Sequence, residues 1–173
     1  MYSFEIYSDC GLSTRVAGAT TENPTWTTPA LSDNTRYYWR AQASDGYLNS
    51  NWMPTANFFI NTVNDRPSDP GISSPVNNVH VATLTPALSI TNAADVDFYD
   101  TLAYDFDVAT DGGFTDIVAG ATSIAPGAGG VTSWTVTPAL SENSPYYWRA
   151  RAKDNNGGES SWVSASFFVN RAN

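Results

Sequence analysis

One cysteine and one histidine occur among the 173 residues. Cys10 has no second thiol with which to form an internal disulfide, so it is expected to stay free or to bridge to another chain. A structural zinc site takes about four nitrogen or sulfur ligands, which Cys10 and His80 do not supply. Charged residues make up only 14% of the chain, against roughly 25% in an average domain. Basic residues are the scarcest: eight Lys and Arg stand against 17 Asp and Glu, for a formal net charge of −9. That balance excludes duplex nucleic acid and anionic membrane surfaces as expected partners and leaves carboxylates free for divalent cations. No run of about 18 apolar residues occurs, so no membrane-spanning helix is expected. The opening residues Met1–Ile6 show neither the basic nor the apolar region of an export signal. If the protein is exported, this chain is expected to be a segment of something longer.

In place of charge the chain carries Thr, Ser, Asn, Gly and Pro, with 42% hydrophobic and 13% aromatic residues. That mixture suits short strands joined by many turns. An internal repeat organises it. Val16-Ala17-Gly18-Ala19-Thr20 recurs as Val118-Ala119-Gly120-Ala121-Thr122, and Thr28-Pro29-Ala30-Leu31-Ser32 as Thr137-Pro138-Ala139-Leu140-Ser141. Tyr37-Tyr38-Trp39-Arg40-Ala41 recurs as Tyr146-Tyr147-Trp148-Arg149-Ala150, and Phe58-Phe59-Ile60-Asn61 as Phe167-Phe168-Val169-Asn170. The order is kept at a spacing of about 109 residues. A period near 100 residues fits a whole β-sandwich per unit and not a solenoid repeat.

The shared blocks alternate with a period of two, the mark of a half-buried strand. Tyr2, Phe4 and Ile6 point one way while Ser3, Glu5 and Tyr7 point the other. Tyr104, Phe106 and Val108 alternate with Asp105 and Asp107 in the same manner. Further strands are expected over Thr25–Thr28, Arg36–Ser44 and Thr55–Asn61, with counterparts at Ser133–Thr137, Tyr146–Lys153 and Ser164–Asn170. Pro70–Pro75 reads as a short edge strand, and Leu84 to Ile90 as another. Turn clusters such as Ser32-Asp33-Asn34 and Asn155-Asn156-Gly157-Gly158 punctuate the pattern. The class is all-β.

The stretch from Leu31 to Ala43 resembles the E–F corner and F strand of fibronectin type III domains. That family sets a Leu, a turn, then a Tyr whose hydroxyl ties the corner. Leu31 and Tyr37 match it, as do Leu140 and Tyr146. The resemblance implies tandem fibronectin type III-like sandwiches of the kind found in large bacterial surface and secreted proteins. It places a partial copy over residues 1–64, strands C to G without A and B, and a complete copy over 65–173. Trp39, Ala41 and Ala43 then face the core, with Tyr38, Arg40 and Gln42 outside.

Three clusters are candidate sites. Asp95, Asp97 and Asp100 lie together on one loop, where hard oxygen ligands suit Ca²⁺. The spacing is not that of an EF-hand, and a solvated acidic turn is the plain alternative. Asp154, in the F–G loop, is placed to approach the same loop. Trp52 and Trp162 precede strand G and either stack under Arg40 and Arg149 as a structural ladder or form a sugar-stacking platform. Glu5 with Arg40, and Asp107 with Arg149, are expected cross-strand ion pairs. Tyr38, Arg40 and Trp52, with Tyr147, Arg149 and Trp162, compose an outer face resembling a partner-binding surface. No second nucleophile or base accompanies Cys10, so no enzyme is expected.

The resemblance implies a non-catalytic binding and spacing module of an extracellular or cell-surface protein. Two alternatives stand beside it. The incomplete first copy exposes apolar core and unpaired backbone, which suits an assembly subunit completed by a strand from another chain or by self-association. An accessory carbohydrate-binding module of a polysaccharide-degrading enzyme is the other.

Overall fold

The computed structural model describes residues 1–170. The chain divides into two compact units, Met1–Val63 and Asn64–Asn173. The first is one antiparallel sheet of β1 (Tyr2–Tyr7), β2 (Arg15–Thr21), β3 (Thr35–Ala43) and β4 (Ala56–Ile60), in the order β2-β1-β3-β4. The second contains β5 (Gly71–Ser74), β6 (Val79–Val81), β7 (Ala87–Thr91), β8 (Leu102–Ala109), β9 (Ile117–Ile124), β10 (Val131–Thr135), β11 (Ser144–Asp154) and β12 (Val163–Val169). These form a three-stranded sheet, β10-β7-β5, and a five-stranded sheet, β6-β12-β11-β8-β9. Among the described residues no helix is long and apolar enough to cross a membrane.

The second unit is a fibronectin type III-like sandwich. Its two sheets enclose a core in which Leu88 and Ile90 of β7 meet Tyr104 and Phe106 of β8 and Trp148 of β11, all with no exposure. Alternation explains the choice of residues: every second position of β8, β11 and β12 is apolar and faces inward. The Pro-flanked segment β5 sits at a sheet edge, as its sequence predicts. His80 lies on the other edge strand, β6, which runs parallel to β12, and its ring rests 5.3 Å from Phe168.

Both copies build the same corner. The Ser32 N–H donates to the Tyr37 hydroxyl at 3.0 Å, and the Ser141 N–H to the Tyr146 hydroxyl at 2.9 Å. Asn34 and Asn143 carry the turn with φ of 51° and 56°, a left-handed conformation that asparagine tolerates better than most residues. The tyrosine corner read from sequence is therefore present in both units.

One expected strand is absent. Thr25–Thr28 belongs to no strand or bridge among the described residues, whereas its counterpart contributes to β10. The reason is the ladder. β10 exists by pairing with β7, from Val131 opposite Thr91 to Thr135 opposite Ala87, and the first unit has no strand equivalent to β7. A β-strand is a property of a pair, not of a sequence segment alone.

Candidate functional site

Three regions hold the chemistry: the outer faces of both units, the inner face of the first, and a loop cluster of the second. The outer face comes first. Glu5 and Arg40 are register partners across β1 and β3, and the guanidinium reaches the carboxylate at 2.8 Å. Tyr7 donates its hydroxyl to Glu5 at 2.6 Å. Burial pushes the Glu5 carboxyl up, but the Tyr7 hydrogen bond and the Arg40 charge outweigh it and hold it below its ordinary value. Asp107 and Arg149 repeat the pair at 2.8 Å across β8 and β11. The second unit extends the row: Arg151 and Lys153 both pair with the buried Asp105, at 3.3 and 2.9 Å. Sequence reading missed this extension, although strict alternation along β11 carries its signal.

Arg40 lies 4.3 Å from the Trp52 ring centre, and Arg149 4.2 Å from that of Trp162. Arg151 also sits over Trp162, at 4.7 Å. The Trp rings are thus engaged by guanidinium groups, the geometry of a structural cation–π ladder. Tyr38 is half-buried, and Tyr147 is exposed at the edge of the same face. Cys10 is exposed on the β1–β2 loop, whose shape is fixed by Asp9 accepting from the Ser13 and Thr14 N–H groups.

The inner face of the first unit differs from that of the second. Phe106 and Trp148 are fully buried, whereas their counterparts Phe4 and Trp39 are partly exposed. Phe4, Ile6, Trp26, Trp39 and Phe58 line an apolar groove of about 330 Å³. Trp26 keeps its place against Phe4, with ring centres 6.1 Å apart, matching the 6.0 Å between Trp134 and Phe106. The Trp148 indole N–H donates to the Pro75 carbonyl at 3.0 Å, from the segment joining β5 to β6. The first unit has no such segment.

The third region joins two loops of the second unit. The β7–β8 loop carries Asp95, Asp97 and Asp100, and the β11–β12 loop carries Asp154. Asp95, Asp100 and Asp154 each present a carboxylate oxygen within 4.8 Å of the other two. Asp97 lies outside that set but is only 2% exposed. The Asp65 N–H donates to its Oδ2 at 2.7 Å and pulls its pKa down. Burial and the charges of Asp95, Asp100 and Asp65 push the other way and prevail, so the carboxyl stands above its ordinary value. The sequence groups Asp95, Asp97 and Asp100 on one loop with Asp154 approaching it; in the structure Asp95, Asp100 and Asp154 form the close set and Asp97 lies outside it. Burial of one aspartate in a run is a tertiary effect with no local signature.

No family model matches the chain, and no curated protein does. Solved structures with similar folds include a PKD domain of an M14-like peptidase from a Thermoplasmatales archaeon. It is 25% identical, with a TM-score of 0.42 over 62% of this chain and 99% of that chain. The fibronectin(III)-like modules of Clostridium thermocellum CbhA are 20% identical, with a TM-score of 0.39 over 97% of this chain and 77% of that chain. The chicken interferon gamma receptor alpha chain is 15% identical, with a TM-score of 0.47 over 98% of this chain and 84% of that chain.

Proposed function

We propose that the chain is a non-catalytic binding and spacing module of an extracellular protein, and that the inner face of its first unit receives a pair of β-strands from outside residues 1–173. The observation that carries this reading is the contrast between the two copies of one sheet. In the second unit the sheet holding Phe106 and Trp148 is covered by β10-β7-β5. In the first, the same positions line an open groove. Apolar surface of this kind gains roughly 25 cal/mol for each Å² removed from water, and a contiguous exposed patch marks an interaction site.

The second unit supports a specific occupant. The strands have the character of β5 and β7: an edge strand followed by one that alternates large aliphatic residues, as Leu88 and Ile90 do. A carbonyl placed like that of Pro75 would meet the Trp39 indole N–H, which has no hydrogen-bond partner among the described residues. A second copy of this chain is a poor donor, because its β7 is already buried in its own core with Leu88 and Ile90 at 0% exposure. The outer faces serve the spacing role, since their ion pairs and Arg–Trp stacks are internal to each unit.

The test is a titration of the full chain with a synthetic peptide of residues 70–91, which carries β5, β6 and β7, followed by tryptophan fluorescence and light scattering. Saturable binding at the mass of one chain plus one peptide is expected. A monomeric chain that ignores millimolar peptide overturns the proposal. So does a chain that dimerises without peptide and thereby quenches the fluorescence change, which would make a second copy the occupant.

A further inference from the structure

We infer that the acidic cluster between the β7–β8 and β11–β12 loops is a calcium site, with Asp95, Asp100 and Asp154 as its carboxylate ligands and Asp97 as the buried fourth charge. Acidic residues in proximity do not make a site. Here the pattern of hydrogen bonds does. Each of the three loop aspartates has one oxygen held by an N–H donor. The Asp97 N–H donates to Asp95 Oδ1 at 3.0 Å, Asp65 N–H to Asp97 Oδ2 at 2.7 Å, and Asn156 Nδ2 to Asp100 Oδ1 at 2.7 Å. The remaining oxygen of each, Asp95 Oδ2, Asp97 Oδ1 and Asp100 Oδ2, is buried and accepts nothing. Buried carboxylate oxygens without donors are costly and uncommon. Two of them, Asp95 Oδ2 and Asp100 Oδ2, belong to side chains of the close set already oriented by their other oxygens, and Asp97 adds a third on the same loop.

Size and charge select the ion. Calcium holds its oxygen ligands at about 2.3–2.6 Å, so ligands on opposite sides of one ion stand about 5 Å apart. The 4.8 Å span of the Asp95, Asp100 and Asp154 oxygens fits inside that limit. No Lys or Arg among the described residues forms an ion pair with any of the four aspartates, whereas Asp105 and Asp107 on the nearby sheet are both paired. Asp45 of the first unit corresponds to Asp154, and both cap their own loops: Asp45 accepts from the Tyr47 and Leu48 N–H groups and Asp154 from those of Asn156 and Gly158, all at 2.8 Å. The first unit has no β7–β8 loop to set against it.

The site also fastens the start of its own unit. Asn64 donates to Asp154 Oδ2 at 3.1 Å, and the Asp65 backbone donates to Asp97. Bound calcium therefore orders residues 64–69 together with the two loops.

The experiment uses the full chain in 5 mM EDTA and in 5 mM calcium chloride, read by thermal unfolding and by hydrogen exchange. A ligand held about a hundredfold above its dissociation constant moves the midpoint of a domain this size by roughly 10 °C. Slower exchange is expected over 64–69, 95–101 and 154–158, with β1 to β4 unchanged. Asp95→Asn and Asp100→Asn are each expected to raise the midpoint in EDTA, by relieving repulsion, and to abolish the calcium response. Calorimetric titration of the unmodified chain with calcium gives a second reading that does not depend on a variant folding. Absence of heat and of any midpoint shift at 10 mM calcium overturns the proposal, as does an equal response to magnesium.

Discussion

Phe4 and Phe106 occupy the same position in the two copies, so replacing each by alanine measures what covers the two sheets. Phe106 has no exposure and packs against Trp134 at 6.0 Å and Trp148 at 6.4 Å. Its removal leaves a closed cavity, and Phe106→Ala is expected to destabilise the second unit by about 3–5 kcal/mol. Phe4 keeps one ring neighbour, Trp26 at 6.1 Å, and faces the groove on its other side. Because part of its surface is already wet, Phe4→Ala forfeits less transfer energy and creates no closed void, for a cost of about 1–2 kcal/mol. Urea unfolding followed by hydrogen exchange and mass spectrometry separates the units, with peptides from β1 reporting the first and from β8 the second. Should Phe106→Ala not fold, the Phe→Leu pair preserves the comparison at smaller amplitude. Equal costs at the two positions would refute the reasoning, since they require the first sheet to be covered as fully as the second.

Three further outcomes follow from the same geometry. Tyr146→Phe and Tyr37→Phe each remove the hydroxyl that accepts a backbone N–H at the corner, and each is expected to cost about 1 kcal/mol in urea unfolding of its own unit. Glu5 is held below its ordinary value of 4.5 in the fold, so its contribution is complete at neutral pH and is lost as pH falls through the folded value. The first unit should therefore weaken below about pH 4.5, and Glu5→Gln should flatten that acid limb while costing under about 1 kcal/mol at pH 7. Arg149→Lys keeps the charge near Asp107 but loses the planar stack on Trp162, and a loss of about 0.5–1 kcal/mol in the second unit is expected from thermal unfolding.

Much of this architecture is legible in the sequence because it is local. Alternation in Tyr104-Asp105-Phe106-Asp107-Val108 assigns each side chain to a face, and the order of Leu140, a turn and Tyr146 names the corner. Cross-strand partners such as Glu5 and Arg40 follow once strands β1 and β3 are set side by side. What escaped the sequence depends on partners far along the chain. Thr25–Thr28 has the composition of a strand and is not one, because the strand it would pair with is not in its unit. Asp154 is legible as a neighbour of the β7–β8 loop, but its place in the close set with Asp95 and Asp100 emerges only in the fold. Asp97 differs from Asp95 and Asp100 in being buried, with the Asp65 N–H donating to it.

The openness of the first sheet is tested most directly by the exchange of its tryptophan indole protons. Nitrogen-labelled chain shows six indole signals, one for each Trp. The Trp148 N–H, bonded to the Pro75 carbonyl and fully buried, should exchange only when the second unit opens. The Trp39 N–H, at the same position of the first unit, should exchange orders of magnitude faster and slow down when the peptide of residues 70–91 is added. A Trp39 signal as protected as that of Trp148 in the free chain would contradict the open sheet and the strand-receiving function built on it.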